Sequence, residues 1–218
     1  MNIEPLEVIE AVLSFDDHRS SDKNPSISVS ELIGPKYKAW KSLNNAKKIH
    51  KLLPMKRRSS TLGTGYHMRA EQAMKTYDNT LTEVYNERLV SGVTISGTFD
   101  LAVQDDDFIY TIGDHKTGYG GKFKDPQKTT NQLSVYRWLN QDEINIADRA
   151  YIYFVSQSNN AYETIPVDLQ PLEDTEAFIK YRLKEIKEEP LIIDCHEETR
   201  FNLCDWCEFE CNFRKGGK

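Results

Sequence analysis

The chain has 218 residues, of which 39% are hydrophobic and 28% are charged, and its formal net charge is −6. This composition predicts a soluble globular protein with one sizeable core. No apolar run approaches the roughly 18 residues that a membrane span requires, and the N-terminus lacks a charged and apolar signal segment. We therefore expect neither a membrane protein nor a secreted one, and a cytoplasmic location.

The basic residues are concentrated in the first third of the chain. No acidic residue occurs between Leu32 and Ala70, whereas ten of the 28 basic residues lie there, which leaves 18 to balance 34 acidic residues elsewhere. A solvated helix face is the ordinary explanation of such a run, but Tyr37 and Trp40 favour a basic arm, residues 32–70, that follows a phosphate backbone. The side chains predicted to contact nucleic acid there are Lys47, Lys48, Lys51, Lys56, Arg57 and Arg58.

Helices are predicted on both sides of this basic run. Ser28 or Ser30 can cap a short helix at its start. A second helix is predicted over residues 59–78, entered through a serine and threonine cluster. His67 and Glu71 are four residues apart on that helix, so they share one face and Glu71 can orient or assist the histidine.

A strand at Val84–Val90 and a β-hairpin are predicted next. The hairpin strands, Val93–Val103 and Phe108–His115, alternate apolar and polar residues and flank a run of three aspartates that favours a turn.

This hairpin brings carboxylates together. Asp100 lies in its first strand and Asp114 at the end of its second. Two carboxylates on adjacent strands repel each other unless a cation lies between them, and such oxygen ligands suit Mg²⁺ or Mn²⁺. Lys116 lies two residues after Asp114, and the period of a strand places both side chains on one face. The sequence therefore predicts a metal site with an ammonium beside it.

The segment after the hairpin carries two further candidates for DNA contact, Lys122 and Lys124, on a loop that either closes over a bound strand or is only a connector. A helix is predicted at Pro126–Asn140, where Gln132 and Tyr136 share one face. The remaining predicted elements are strands at Ala150–Ser156 and Tyr162–Val167 and a helix at Pro171–Glu189.

All four cysteines lie near the C-terminal end, in a tail over residues 195–218. Their spacing is typical of metal ligands, and Zn²⁺ in a four-cysteine site, a [4Fe–4S] cluster and free or buried thiols all remain open. The residues are Cys195, Cys204, Cys207 and Cys211, with His196 and His50 as weaker candidates.

These motifs, taken in order, resemble a known family. The patterns are Gly63-Thr64-Gly65-Tyr66-His67, Gly97-x-x-Asp100, Asp114-x-Lys116-Thr117 and Gln132-x-x-x-Tyr136. They resemble the PD-(D/E)xK nuclease superfamily, in particular the branch of the RecB nuclease domain and the Cas4-like exonucleases. The resemblance implies an α/β fold with a restriction-endonuclease-like core, in which helices flank a mixed central β-sheet. We expect an N-terminal extension over residues 1–27 and this nuclease domain over residues 28–218.

The resemblance also implies roles for particular residues. His67, Asp100 and Asp114 would bind the metal, with the main-chain carbonyl of His115 as a further ligand, and Lys116 would position and activate the attacking water. The supporting residues implied are Gln132 and Tyr136, which would hold the substrate or the lysine, and Glu71 and Glu87. Cas4-like relatives carry a Cys-Pro pair where this chain has Gly34-Pro35, which argues against their iron–sulfur cluster.

The expected function is metal-dependent hydrolysis of DNA, most simply by an exonuclease that acts on ends or single strands in repair, recombination or replication, in a bacterium or a virus-infected cell. Expected partners are DNA and a helicase, a recombinase or a single-strand annealing protein. Two alternatives stay open: a non-catalytic DNA-binding scaffold subunit of a helicase or recombination complex, and a metal-binding interaction domain centred on the cysteine tail.

Overall fold

The computed structural model describes residues 25–44, 54–159 and 161–188, and within the second range it describes side chains from residue 61 onward. A mixed sheet of six strands lies at its centre. The strands are β1 (Ser26–Ser28), β2 (Thr80–Val90), β3 (Val93–Gln104), β4 (Tyr110–Gly118), β5 (Arg149–Ser156) and β6 (Tyr162–Asp168). The helices of the described residues are α1 (Val29–Leu32), α2 (Lys36–Leu43), α3 (Pro54–Met74), α4 (Pro126–Asn140) and α5 (Leu172–Lys187).

The strand β3 joins the parts of the sheet. One of its edges pairs antiparallel with β2 along both strands, and the tight turn at Ser91 and Gly92 has the positive φ angles, 50° and 76°, that suit a short hairpin. Its other edge is shared, because β1 pairs parallel with residues 94–96 and β4 pairs antiparallel with residues 101–104. Beyond β3, β4 runs parallel to β5, and β5 is antiparallel to β6. The order is β1-β3-β4-β5-β6, with β2 on the far edge of β3.

The two faces of the sheet differ in what covers them. Ile112 of β4 and Ile152 of β5 are fully buried against the core that α4 and α5 complete, so we call this side the core face. A fully buried side chain of this size contributes roughly 1.5–3 kcal/mol. His115, three positions from Ile112, points to the opposite side and contacts Tyr66 of α3. We call that side, which α3 crosses, the outer face.

Most predicted elements are present in the structure. The hairpin is confirmed as β3 and β4, and the helix predicted at Pro126–Asn140 is confirmed with those bounds. Asp125 caps that helix by accepting a hydrogen bond from the Lys128 main-chain N–H at 3.2 Å, and proline suits its first position. The helix predicted at residues 59–78 begins earlier, at Pro54, and ends at Met74. Its serine cluster therefore lies inside the helix, because a proline at the first turn already provides a start.

The first strand, β1, was not predicted, because three residues are too short to show alternation. The capping role of Ser28 is confirmed. Its hydroxyl accepts a hydrogen bond from the Glu31 main-chain N–H at 3.3 Å, while the Ser28 N–H donates to the Glu31 carboxylate at 3.0 Å. The expected domain division between residues 27 and 28 stays a prediction. Within the described residues, no helix combines the length and the apolarity that crossing a membrane requires.

Candidate active site

The candidate site lies where β3 and β4 separate, an opening that we call the fork. The ladder between the two strands ends at Leu101 and Gly113, and from Gly113 onward β4 pairs with β5. In the same register, the next two residues are Asp100 and Asp114, which therefore face each other at the opening. The main-chain N–H of His115 donates to Asp100 Oδ2 at 2.7 Å, so a side chain replaces the missing ladder bond.

A group of possible metal ligands converges at this fork. His67 of α3, Glu83 of β2 and Asp100 of β3 place one ligand atom each within 4.8 Å of one another. His67 Nδ1 lies 3.4 Å from Asp100 Oδ2. Glu83 stands opposite Asp100 in the register of β2 and β3, in which residue 82 pairs with residue 101 and residue 84 with residue 99. We call these three residues the ligand cluster.

A break in strand alternation brings the ligand cluster together. Phe99 and Ala102 of β3 both pack in the core although they are three positions apart. On β2, Leu81 and Val84 pack against the core with the same spacing. Because side chains on one face of a regular strand are an even number of positions apart, alternation fails at Asp100 and Glu83. Glu83 has a φ of 51°, a left-handed conformation that costs about 1–3 kcal/mol for a residue other than glycine. Such outliers often accompany functional sites.

Electrostatics couple His67 to Asp100. The contact with Asp100 raises the pKa of His67 above its ordinary value, against the opposing effect of partial burial. Burial by itself would raise the pKa of Asp100, but the contact with His67 and the hydrogen bond from the His115 N–H together hold that pKa below its ordinary value. Asp100 is therefore an ionised carboxylate at neutral pH.

Asp114 and Lys116 form the second part of the site. Lys116 Nζ lies 2.6 Å from Asp114 Oδ2, which confirms that the two side chains share a face of β4. Asp114 is only 2% exposed, and this burial raises its pKa to about 6, with the charge of Lys116 acting in the opposite direction. Although the ammonium is close, Oδ2 has no aligned hydrogen-bond donor among the described residues. The contact of Asp114 with Lys116 is therefore an ion pair without an aligned hydrogen bond.

The helix α4 holds the lysine from the other side. Lys116 Nζ donates to Gln132 Oε1 at 3.3 Å, and Gln132 Nε2 donates to the Tyr136 hydroxyl oxygen at 2.8 Å. Burial raises the pKa of Tyr136, so its phenol is protonated at neutral pH. The Tyr136 ring occupies the space above Gly97, where an added Cβ would lie 2.6 Å from a ring carbon. Gly97 thus makes room for the aromatic ring that orients Gln132.

Comparison with known proteins identifies the family. The model of the PD-(D/E)XK nuclease superfamily matches residues 16–211. The chain belongs to this superfamily. The crystal structure of SSO0001 is similar, with a TM-score of 0.65 and 19% sequence identity over 94% of this chain and 96% of that one. A "putative exonuclease" from Eubacterium rectale matches with a TM-score of 0.44 and 11% identity over 92% of this chain and 94% of that one. Among curated protein sequences, none matches the chain.

The superfamily and the mixed-sheet fold predicted from the sequence are therefore confirmed, whereas the RecB-like or Cas4-like branch stays a prediction. Two predicted site residues are not members of the ligand cluster and have other partners. Glu71 forms an ion pair with Lys75 at 2.5 Å, and exposed Glu87 accepts a hydrogen bond from the Tyr85 hydroxyl at 2.5 Å. The acidic residue that β2 contributes is Glu83, which the sequence analysis did not single out.

A signal for Glu83 was available in the sequence. The turn at Ser91 and Gly92 fixes the register of the β2–β3 hairpin, and that register places Glu83 opposite Asp100. The pairing was not predicted, because the predicted strand began at Val84 and Glu83 precedes it, whereas β2 begins at Thr80.

The predicted DNA-contacting residues are only partly described. Lys122 and Lys124 are exposed on the segment between β4 and α4. The Phe123 main-chain N–H donates to Glu163 at 3.2 Å, and this anchor favours the connector role for the segment. Lys47, Lys48, Lys51 and the four cysteines, Cys195, Cys204, Cys207 and Cys211, lie outside the described residues, as do the side chains of Lys56, Arg57 and Arg58.

The donor set of the site fits a divalent cation. The ligand cluster offers an imidazole nitrogen and carboxylate oxygens, and Asp114 Oδ2 adds a buried acceptor without an aligned donor. Carboxylate oxygens suit Mg²⁺ and Mn²⁺, and an imidazole is compatible with the latter. The convergence of negative charge at the fork is what a cation would compensate.

Proposed function

We propose that this chain is a metal-dependent nuclease that hydrolyses DNA phosphodiester bonds. Membership of the PD-(D/E)XK superfamily supports the reaction class. The observation that carries the proposal is the meeting of two groups at the fork: the ligand cluster, with ligand atoms within 4.8 Å of one another, and the buried pair of Asp114 and Lys116.

The residues that would hold the metal are His67, Glu83 and Asp100, together with Asp114. The main-chain carbonyl of His115 is a further candidate, because the N–H and C=O of one strand residue point to the same side and the His115 N–H donates to Asp100. Bound Mg²⁺ or Mn²⁺ supplies Lewis-acid polarisation of the phosphoryl oxygen and lowers the pKa of a water.

Lys116 is the residue that we assign to the attacking water and the phosphate. Its side chain is 29% exposed, so the ammonium is held by Asp114 and Gln132 yet remains accessible to a substrate from the solvent side. A fixed positive charge of this kind orients a water molecule and stabilises the negative charge that develops on a phosphate under attack. Because Lys116 is anchored on two sides, little reorganisation is needed when that charge appears.

Gln132 and Tyr136 are assigned as positioning residues for Lys116. The two hydrogen bonds that link Tyr136 to Gln132 and Gln132 to Lys116 are 2.8 and 3.3 Å long. Tyr136 is only 6% exposed, so the far end of this chain of contacts is fixed by the core. Of the two roles expected from the sequence, these contacts favour holding the lysine.

The finer parts of the proposal rest on resemblance to the RecB-like and Cas4-like branch. We assign the activity to an exonuclease that acts at DNA ends or in single strands during repair, recombination or replication. A helicase, a recombinase or a single-strand annealing protein is the kind of partner that this role requires.

The test compares digestion of end-labelled linear DNA with digestion of covalently closed circular DNA, each with Mg²⁺, with Mn²⁺ and with EDTA. The variant is Lys116→Ala, and Lys180→Ala on α5 is the matched control, because Lys180 is 58% exposed and paired with Glu176 on the helix surface. We expect loss of linear DNA alone, abolished by EDTA and by Lys116→Ala and unchanged by Lys180→Ala.

Other outcomes separate the alternatives. Cutting of the circular DNA would show that the chain is an endonuclease with the same chemistry. If neither substrate is cut while DNA still binds in a salt-dependent manner, the chain is a DNA-binding scaffold and not an enzyme.

Metal analysis after purification without oxygen distinguishes zinc, an iron–sulfur cluster and an empty cysteine tail.

A further inference from the structure

Aromatic rings form a row across the outer face, beginning at the ligand cluster. Tyr66, next to His67 on α3, contacts His115 with ring centroids 5.6 Å apart. The His115 ring lies 5.3 Å from that of Tyr153, and the Tyr153 ring lies 6.2 Å from that of Tyr151 with only 27° between their planes. We call Tyr66, His115, Tyr153 and Tyr151 the aromatic row.

The hydrophobic core does not require the aromatic row. Its members are only partly buried, whereas Ile152 and Phe154, which alternate with the two tyrosines along β5, are 0% and 4% exposed on the core face. The Tyr153 ring lies above Gly113, where an added Cβ would come within 2.5 Å of a ring carbon. A ring that rests on the neighbouring strand in this way lies along the sheet.

The surroundings of the aromatic row suit bases better than phosphates. Alternation along β4, β5 and β6 places uncharged side chains beside it on the outer face, and a charged pair, Arg149 with Asp168 at 3.5 Å, occurs at the far end. The uncharged neighbours are Thr117, Val155, Tyr162, Thr164 and Pro166. Along its other side the row adjoins α3, which belongs to the basic arm.

We infer that the aromatic row is a stacking platform for the bases of an unpaired DNA strand whose backbone passes the ligand cluster. The inference rests on the proposed nuclease function and narrows its substrate to single strands or frayed ends. Aromatic side chains bind unpaired bases through their flat faces without regard to sequence. A duplex presents its bases as internal pairs, so this surface discriminates between the two forms.

Binding to a labelled single strand and to the same sequence as a duplex, both in EDTA, tests the inference apart from catalysis. Tyr151→Val keeps a β-forming side chain but removes the ring, Tyr151→Phe keeps the ring, and Tyr181→Leu on α5 removes a tyrosine that is 61% exposed elsewhere. Since stacking contributes about 1–3 kcal/mol per base, we expect Tyr151→Val to weaken single-strand binding at least about fivefold. Duplex binding by Tyr151→Val should stay within about twofold of the parent value. Single-strand binding by Tyr151→Phe and by Tyr181→Leu should also stay within about twofold.

A second measurement uses the unchanged protein, so it does not depend on the folding of a variant. Single strands that carry 5-iodouracil are crosslinked by light, and the attached peptides are mapped by mass spectrometry. Crosslinks at Tyr66, Tyr151 or Tyr153 support the inference, and crosslinks confined to other tyrosines overturn it.

The two proposals can fail separately. Metal-dependent cutting by the parent protein, with unaltered single-strand binding by Tyr151→Val, overturns the platform and leaves the nuclease in place. Weakened binding by Tyr151→Val without cutting under any metal condition supports the platform and overturns the nuclease.

Discussion

The buried carboxylate of Asp114 leads to a prediction about stability as well as activity. Asp114 is 2% exposed, and burial raises its pKa to about 6, although the nearby Lys116 ammonium acts against this effect. An acid whose folded-state pKa exceeds its unfolded value destabilises the folded chain once both states are ionised. We therefore expect Asp114→Asn to abolish nuclease activity while increasing the free energy of unfolding at pH 8 without metal.

The magnitude follows from the two pKa values. An unfolded aspartate has a pKa of about 3.9, whereas that of Asp114 in the folded protein is about 6. At about 1.4 kcal/mol per pKa unit, full ionisation costs roughly 3 kcal/mol of stability. The cost is nearly absent below pH 4, grows as the pH rises from about 4 to 6, and is complete above pH 6. The pKa of about 6 already includes the attraction of the Lys116 ammonium. Because an amide does not reproduce every contact of the carboxyl group, we expect a net increase of about 1–3 kcal/mol at pH 8.

The assay is urea denaturation of the parent and variant proteins in EDTA at several pH values between 4 and 8. Asp168→Asn is the matched control, because Asp168 is 86% exposed and its loss should change stability by no more than about 0.5 kcal/mol. The advantage of Asp114→Asn should be greatest at pH 8 and small at pH 4. A variant that is less stable than the parent at pH 8, or a difference that does not change with pH, would refute this reasoning.

Three further predictions concern the same site. Gly97→Ala should lower stability by about 1–3 kcal/mol in denaturation and reduce kcat, because its Cβ would meet the Tyr136 ring at 2.6 Å. Glu83→Gln should weaken Mn²⁺ binding by at least about tenfold in titration calorimetry, whereas Glu87→Gln should bind Mn²⁺ as the parent does. Equal Mn²⁺ affinities of the two variants would show that Glu83 is not a metal ligand. As the pH falls, Mn²⁺ binding should begin to weaken while the pH is still above about 6.5, the ordinary histidine pKa, because Asp100 favours protonated His67. An affinity that stays constant down to pH 6 would contradict this.

Sequence periodicity predicted those parts of the site that obey regular geometry. Asp114 and Lys116 share a face because a strand has a period of two, and Gln132 and Tyr136 are neighbours because a helix brings together residues four apart. The ion pair at 2.6 Å and the hydrogen bond at 2.8 Å agree with these expectations. Such local spacings need no information about the tertiary structure.

Features that depend on tertiary structure were not predicted. Glu83 belongs to the ligand cluster, yet it adopts a left-handed φ in the middle of a strand at the point where regular alternation fails. Glu71 shares the helical face of His67 as expected, but the competing partner Lys75 lies four residues further along the same helix. Sequence spacing shows which groups can meet, whereas the choice among several possible partners depends on packing.

The fork also concentrates features that are unfavourable for folding. The β3–β4 ladder stops early, Glu83 adopts a strained φ, and the carboxylate of Asp114, whose Oδ2 has no aligned hydrogen-bond donor among the described residues, is buried next to a second carboxylate. Each of these features costs free energy by itself, and core packing explains none of them. A bound cation would compensate the carboxylate repulsion and give Asp114 Oδ2 a further partner, so one ligand accounts for the third feature. The energetics of the chain thus favour a metal site independently of the family match.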